Sequence, residues 1–354
     1  MGEGKNLLGV DIGSSSIKIC QLKQSRTGLA LHRVGFAHLP PGAVADGKVH
    51  DTEVVTQALN SALKQSGIRQ REAALSVSGQ IVIIRKITIP LMSRAALAEH
   101  IDWEAANNIP FDLEEVHVDY QVLRRRPEVD KMDLLLVAAK RDDIDSYANL
   151  ARRAKLKPLV FDIDAFTVQN LFELTHGLPP GQTVALINAG ASTSTLNIIS
   201  GGVSAFTREI ASGGNVITEE IQKSLGISPE QANAYKCGGD PHGKPGMVPK
   251  VVGDIVSQVC DSIASEIQRS VDFFMATAGE GEIAHIMLTG GTANLPALAE
   301  AIQRRSRVAV RVWGPLQGVT VIPRSINPNL LQYHGAQMAV ALGLALRRER
   351  EVRE

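Results

Sequence analysis

The sequence has few aromatic residues and no net charge. Aromatic side chains make up 4% of the 354 residues, and 37 Lys and Arg residues balance 37 Asp and Glu residues. Such a chain has neither a positive field to attract nucleic acid nor many rings to stack on its bases. We therefore expect a protein that binds no nucleic acid.

Cysteines and long apolar runs are also scarce. The three cysteines lie far apart and form no CxxC pair, so neither a disulfide framework nor a zinc site is predicted. The segment MGEGKN does not resemble a secretion signal, and no apolar run approaches the length that spans a bilayer. These absences favour a cytoplasmic location. A chain of this length is expected to divide into two domains.

The segment Leu7–Leu22, LLGVDIGSSSIKICQL, predicts a β-hairpin. Its apolar run stops at Gly13 and three serines, and an alternating pattern resumes at Ile17. A small tip lets a phosphate chain approach backbone N–H groups and hydroxyls, while Lys18 could supply a cation and Asp11 suits a hydrated magnesium ion. On its own, such a tip is more often a plain turn.

The same layout recurs about one domain later. Strands are predicted over Val184–Ile187 and Leu196–Ile199, with the small polar tip Asn188–Thr193 between them. Further on, the turn Thr289–Thr292 precedes a helix, and its two glycines would let a flat base or a phosphate pack against bare backbone. Two tips of this type could hold one phosphate chain from opposite sides.

Apolar spacing predicts strands and helices around these segments. Helices are predicted over Asp51–Ser66, Asp142–Ala154, Ala165–Glu173, Lys250–Ala276 and Gln337–Arg350, and strands over Leu29–Val34, Ala73–Val77, Ile81–Ile89, Val116–Leu123, Leu134–Ala139 and Lys157–Ile163. The run that begins at Arg124 is predicted to be a solvated hairpin loop, Asn327 to lie in a loop, and the tail LRRERE to be solvated.

Three motifs together resemble those of a known superfamily. DIGSSSIK, the second small tip and LTGGTANLPALAEAI are similar, in order and spacing, to the two phosphate motifs and the adenosine motif of the ATPases that include actin, sugar kinases and heat-shock chaperones. Within it, the chain most resembles the PilM family of type IV pilus assembly proteins, which is related to the division protein FtsA. NIPFDLEEVHVDYQVL, LVFDIDAFTVQNLFEL, ASEIQRSVDFF and GAQMAVALGLALR extend the resemblance along essentially the whole chain.

The resemblance implies an α/β protein with the actin-like ATPase fold. Two related domains would surround a nucleotide cleft, the first over residues 1–185 and the second over residues 186–325. An FtsA-like subdomain, called 1C, would be inserted at about residues 91–157. A C-terminal helix within residues 326–354 would pack back on the first domain.

The resemblance also assigns site residues for ATP and Mg²⁺. Asp11 would hold magnesium through water, Gly13, Ser14, Ser15, Ser16 and Lys18 would hold the phosphates, and Asn188, Gly190, Ala191, Ser192 and Thr193 would close from the other side. Gly213, Gly214 and Lys236 would lie near the ribose, and Gly290, Gly291, Thr292 and Asn294 near the base. Asp162 and Asp164 are candidates to order water at the metal, although helix capping explains both equally well.

Two positions depart from the family pattern. The second tip usually begins with Asp, and here it begins with Asn188. The short ribose-contacting helix commonly has Ala-Glu before its lysine, and here the pair is Ala232-Asn233. Losing a carboxylate at the second tip removes a base or an anchor for metal-bound water without blocking the pocket. We therefore expect ATP binding with slow or absent hydrolysis.

The family implies partners as well. The N-terminal cytoplasmic tail of a membrane-spanning PilN-like protein would dock in a groove between subdomain 1C and the first domain, alongside other pilus platform proteins. The protein would then lie at the inner membrane only through that partner. The resemblance is also compatible with a homo-oligomer. Three alternatives stay open: a small-molecule kinase, an FtsA-like filament-forming membrane tether, and a degenerate scaffold that binds no nucleotide.

Overall fold

The computed structural model describes residues 4–25, 28–79, 81–178, 181–239, 248–278, 282–322 and 326–349. Its strands are β1 Leu8–Ile12, β2 Ser16–Ser25, β3 Gly28–His38, β4 Val44–Ala45, β5 Lys48–Val49, β6 Glu72–Val77, β7 Val82–Pro90, β8 Val116–Arg126, β9 Lys131–Lys140, β10 Lys157–Ile163, β11 Thr183–Ala189, β12 Ser194–Ser200, β13 Val203–Ile210, β14 Ile283–Thr289, β15 Val310–Val312 and β16 Thr320–Val321. Its helices are α1 Thr52–Ser66, α2 Arg94–Asn108, α3 Arg141–Arg153, α4 Asp164–His176, α5 Gly214–Leu225, α6 Pro229–Lys236, α7 Lys250–Ala278, α8 Pro296–Ser306, α9 Pro328–His334 and α10 Ala339–Leu344.

The first half of the chain forms a six-stranded mixed sheet in the order β10-β6-β1-β2-β3-β16. Strands β1 and β2 pair as the predicted hairpin, and β1 pairs in parallel with β6 after the crossover through α1. Asp51 caps the start of α1 by accepting from the Val54 N–H at 3.0 Å, and Gly67 ends the helix at a φ of 63°. The buried side of α1 packs on this sheet through Val55 and Leu59.

The second half repeats the arrangement in a five-stranded sheet, ordered β13-β12-β11-β14-β15. Here β11 and β12 form the hairpin, and β14 returns parallel to β11. Helix α7 packs on α8 and on the sheet, burying Ile263 and Ile267 among the apolar side chains of β11 and β12. Each half therefore begins with a hairpin whose tip lies at the same edge as the ends of the parallel strands.

A separate three-stranded sheet, ordered β7-β9-β8, carries α2 and has a core of its own. Two of its strands are longer than predicted: β8 continues through the basic run to Arg126, and β9 already begins at Lys131. The Arg126 guanidinium lies 2.5 Å from Asp133, and Arg125 donates to the Met92 carbonyl at 2.9 Å. The prediction of a loop at these arginines was therefore wrong, since they belong to β8, whereas Arg124 and Arg125 are exposed to solvent as predicted.

The C-terminal segment also differs from the prediction. The residues after Asn327 form the short helix α9 rather than a loop, and the last helix ends at Leu344 instead of continuing to Arg350, which lies outside the described residues. Helix α10 packs against β1 and α4. The described part of the tail, Leu346–Glu349, is half-buried rather than fully solvated, and Arg347 bonds the buried Asp162 at 2.6 Å. Along the described ranges, no helix has the length and apolar character needed to cross a membrane.

Candidate functional site

A cleft of about 800 Å³ lies between the two large sheets, where both hairpin tips meet. Almost every site residue predicted from the sequence lines it. These residues are Asp11, Gly13, Ser14, Ser15, Ser16, Lys18, Asp164, Asn188, Gly190, Ala191, Ser192, Thr193, Gly214, Lys236, Gly290, Gly291, Thr292 and Asn294. The exceptions are Gly213, which packs against the backbone of the second tip, and Asp162.

The first tip is a tight turn that holds a buried ion pair. The Gly13 N–H donates to the Ser16 carbonyl at 3.1 Å, and the register of the hairpin sets Asp11 directly opposite Lys18. The Lys18 ammonium lies 3.1 Å from the Asp11 carboxylate, with about a tenth of each side chain exposed. A cation and a hard oxygen ligand are thus presented together beside a small-residue turn.

Ser16 provides a test of whether the first tip fits a ligand. Its side chain is buried on the cleft wall, and its Oγ has no hydrogen-bond partner among the described residues. Buried hydroxyls are normally paired, because leaving one unpaired costs about 1–3 kcal/mol. An anion in the cleft would supply the missing acceptor.

The second tip is held from outside by the third motif and by α5. The Gly190 N–H donates to the Thr193 carbonyl at 2.9 Å, which closes the tip in the same manner as the first. The Gly190 carbonyl accepts from the Thr292 hydroxyl at 2.7 Å and from the Gly214 N–H at 3.1 Å. A single carbonyl therefore joins the second tip, the adenosine-like motif and the start of α5.

Glycine is required where these segments touch. A Cβ on Gly213 would lie 2.6 Å from the Ala191 carbonyl oxygen, closer than real Cβ atoms approach. The Gly290 backbone has a φ of 97°, and a Cβ there would lie 2.3 Å from the Ala189 carbonyl oxygen. The predicted glycines therefore serve close backbone packing that a larger residue would disrupt.

Lys236 closes this wall of the cleft. Its ammonium donates to the Gly214 carbonyl at 3.2 Å and to the Thr218 hydroxyl at 2.9 Å. Burial lowers the pKa of Lys236. The lysine is thus anchored at the side where the resemblance places the ribose.

Asp164 and Asp162 are separated by the structure. Asp164 is the first residue of α4 and lies on the cleft wall. Burial, and secondly the charge of Asp11, raise the pKa of Asp164 to about 7. Hydrogen bonds with Ser76 and Ser78 oppose this rise. Asp162 instead accepts from the guanidinium of Arg347 at 2.6 Å. Asp162 therefore bonds the C-terminal segment and is not among the residues that line the cleft, whereas Asp164 is.

Several lining residues have no sequence signal of their own. On the first-domain side these are His38, Asp46, Gly47, Ser76, Ser78 and Tyr147, on the second-domain side they are Glu209 and Asn215, and in the C-terminal segment they are His334 and Gln337. Most come from short turns or from strand ends whose position depends on distant contacts. Gln337, for example, packs its side chain on Gly291 from the segment between α9 and α10.

The charges of the cleft are unbalanced. Four carboxylates and two lysines are among its described lining residues: Asp11, Asp46, Asp164, Glu209, Lys18 and Lys236. In the part of the chain that the structure describes, no three His, Cys, Asp or Glu side chains converge to hold a metal ion on their own. A polyanion could enter such a cleft most favourably with accompanying cations.

Two sheets that each present a closed hairpin tip to a shared cleft, with a double-glycine turn beside it, define a protein of the actin-like ATPase fold, as expected from the sequence. The family model of type IV pilus assembly protein PilM matches residues 9–349. The chain therefore belongs to the PilM family.

Solved structures agree with this assignment. A PilM-PilN type IV pilus biogenesis complex contains a chain with 26% identity and a TM-score of 0.82, over 97% of this chain and 98% of that one. The ethanolamine utilization protein EutJ from Carboxydothermus hydrogenoformans has 15% identity and a TM-score of 0.57, over 96% and 89%. MreB 5 of Spiroplasma citri, bound to AMPPNP, has 11% identity and a TM-score of 0.53, over 99% and 98%. The last two likenesses concern the fold alone.

Proposed function

We propose that this PilM-family protein is an ATP-binding assembly adaptor of the type IV pilus platform. It takes ATP with Mg²⁺ between the two tips and docks the N-terminal cytoplasmic tail of a PilN-like membrane protein. The observation that carries the nucleotide proposal is the convergence of the Asp11–Lys18 pair, the second tip and the Gly290 turn on one cleft.

The chemistry of the cleft supports a nucleotide with a divalent cation. The unpaired Ser16 hydroxyl and the small residues of both tips suit a phosphate chain, and Lys18 supplies a cation. Mg²⁺ typically keeps several waters and takes one or two carboxylates together with phosphate oxygens, so Asp11 suffices as its protein anchor. With four carboxylates and two lysines along the cleft, an accompanying cation reduces the repulsion that a triphosphate would meet there.

Hydrolysis is proposed to be slow. With Asn188 at the second tip, that position offers no carboxylate to orient a water or to accept a proton. Among the other carboxylates of the cleft, Asp164 is our candidate base, because a pKa near 7 is close to the value at which a base works best at neutral pH. This observation favours weak ATPase activity over none, and we infer that Asp164 carries whatever turnover exists.

The proposed organisation follows the fold. The first domain comprises residues 1–185 with subdomain 1C at about 91–157, the second comprises residues 186–325, and residues 326–354 return to the first. The packing of α10 on β1 and α4 supports this division. The separate core of the β7-β9-β8 sheet supports an independently built docking subdomain, which would place the protein peripherally at the inner membrane through its partner.

Docking can be tested with a fluorescent synthetic peptide of the partner's N-terminal cytoplasmic tail. Titration with the full chain should raise the anisotropy in a saturable manner, and a scrambled peptide should not. Repeating the titration with MgATP, and with ATP in EDTA, tests whether nucleotide changes the affinity for the peptide. The comparison also shows whether that change needs a divalent cation. Equal binding of the true and scrambled peptides would contradict the adaptor role.

A further inference from the structure

Glu209 is a carboxylate of the second half that contacts the first half across the cleft. It lies on β13 opposite Thr195 of β12 and forms a hydrogen bond with the Thr193 side chain at the second tip. It also accepts a hydrogen bond from the backbone N–H of Gly79, in the connection between β6 and β7. The two walls of the cleft are therefore joined directly beside the second tip.

Gly79 is supported from behind by the turn between β4 and β5. A Cβ on Gly47 in that turn would lie 2.3 Å from the Ser78 carbonyl oxygen, so the two segments pack backbone to backbone. The buried Tyr147 donates its hydroxyl to the Gly47 carbonyl at 3.1 Å. The Gly79 N–H, which donates a hydrogen bond to Glu209, thus belongs to a fixed part of the first domain.

Glu209 and Asn188 point to different parts of the cleft. The Asn188 side-chain oxygen lies against the Gly290 turn, 2.7 Å from where a Cβ on that glycine would be. Glu209 instead faces the first domain, where Asp46 and Asp164 add negative charge around it. The second half therefore still presents a carboxylate to the first, although its tip begins with an amide.

We propose that Glu209 is a positioning residue that fastens the second tip to the first domain and sets the width of the cleft. This inference rests on the nucleotide site proposed above. Its role is geometric: the side chain holds Thr193 and Gly79 at a fixed separation, so that the two tips are already in place when a phosphate chain enters.

The pair Glu209→Gln and Glu209→Ala separates geometry from charge. An amide oxygen can accept the same N–H, so Gln keeps the cross-cleft bond and removes the charge, whereas Ala removes both. We measure hydrogen exchange of the Gly79 amide in the nucleotide-free full chain, and MgATP affinity by titration. Glu219→Ala, at an exposed glutamate on α5, is the matched control.

For Glu209→Ala, we expect Gly79 exchange to accelerate about tenfold or more and MgATP binding to weaken about tenfold, as for loss of one hydrogen bond that holds the two walls together. Glu209→Gln and Glu219→Ala should stay near the wild type in both. Wild-type exchange at Gly79 in the Ala variant, or equal effects of Ala and Gln, would overturn the inference. Failure of the wild type to bind MgATP would instead overturn the proposed function, because the exchange measurement uses no nucleotide.

Discussion

Replacing Asp164 by Asn should stabilise the protein, and the gain should grow with pH. Burial and the charge of Asp11 raise the pKa of Asp164 from 3.8 to about 7 in the folded state. The unfolded chain loses this proton at the ordinary pKa. Between the two values the folded state binds more protons, so the wild-type free energy of unfolding falls as pH rises through this window and is level above it.

The magnitude follows from the width of that window. Each pH unit corresponds to about 1.4 kcal/mol, so ionised Asp164 destabilises the fold by at most about 4 kcal/mol above pH 7. Because the side chain is partly accessible from the cleft, we expect about 2–4 kcal/mol. At pH 5.5 the folded protein keeps Asp164 mostly protonated, so ionised Asp164 destabilises the wild type less than at pH 8. The gain in the free energy of unfolding from Asp164→Asn should therefore be smaller by about 2 kcal/mol at pH 5.5 than at pH 8.

Urea unfolding at pH 5.5 and pH 8, without nucleotide or divalent cations, measures this difference. Asp102→Asn, at an exposed position on α2, is the control, and its stability relative to the wild type should change little with pH. A stability gain for Asp164→Asn that is equal at both pH values would refute the electrostatic argument. So would a loss of stability at pH 8.

Three further predictions concern packing and chemistry. In urea unfolding, Gly290→Ala should destabilise the protein by about 2 kcal/mol or more, because the positive φ of Gly290 and a nearby carbonyl exclude a Cβ. Gly253→Ala, at an open position of α7, should instead stabilise the protein by about 0.5–1 kcal/mol. Equal effects of the two substitutions would contradict this argument. Arg347→Ala should cost about 2–3 kcal/mol in the same assay, since it removes a partner of the buried Asp162, and no loss would show that the C-terminal contact contributes nothing. Asn188→Asp should raise phosphate release from MgATP at least about tenfold by restoring a carboxylate at the second tip, and an unchanged rate would place the limit elsewhere.

Features encoded locally could be predicted from the sequence. The hairpin of β1 and β2 follows from an apolar alternation broken by small residues, and α1 begins at Asp51 and ends at Gly67 as its capping signals indicate. The three glycine-containing motifs indicated the cleft because their chemistry lies in consecutive residues.

Features that depend on distant contacts could not be predicted in this way. Glu209 and Gly79 are 130 residues apart, and neither lies in a recognisable motif. The basic run at Arg126 reads as a solvated loop until its partner Asp133 is placed across the hairpin. The described residues after Leu344 likewise follow a helical pattern in sequence, but there Arg347 bonds both Leu7 and Asp162 of the first domain, and the helix has ended.

The most direct test of the account is calorimetric titration of ATP in the presence of magnesium, with phosphate release followed in the same samples. The wild type should bind saturably with little release, Asp11→Ala should lose most of the binding, and the control Asp102→Ala should behave as the wild type. Absence of binding by the wild type would contradict a nucleotide-binding adaptor and leave a peptide-docking scaffold.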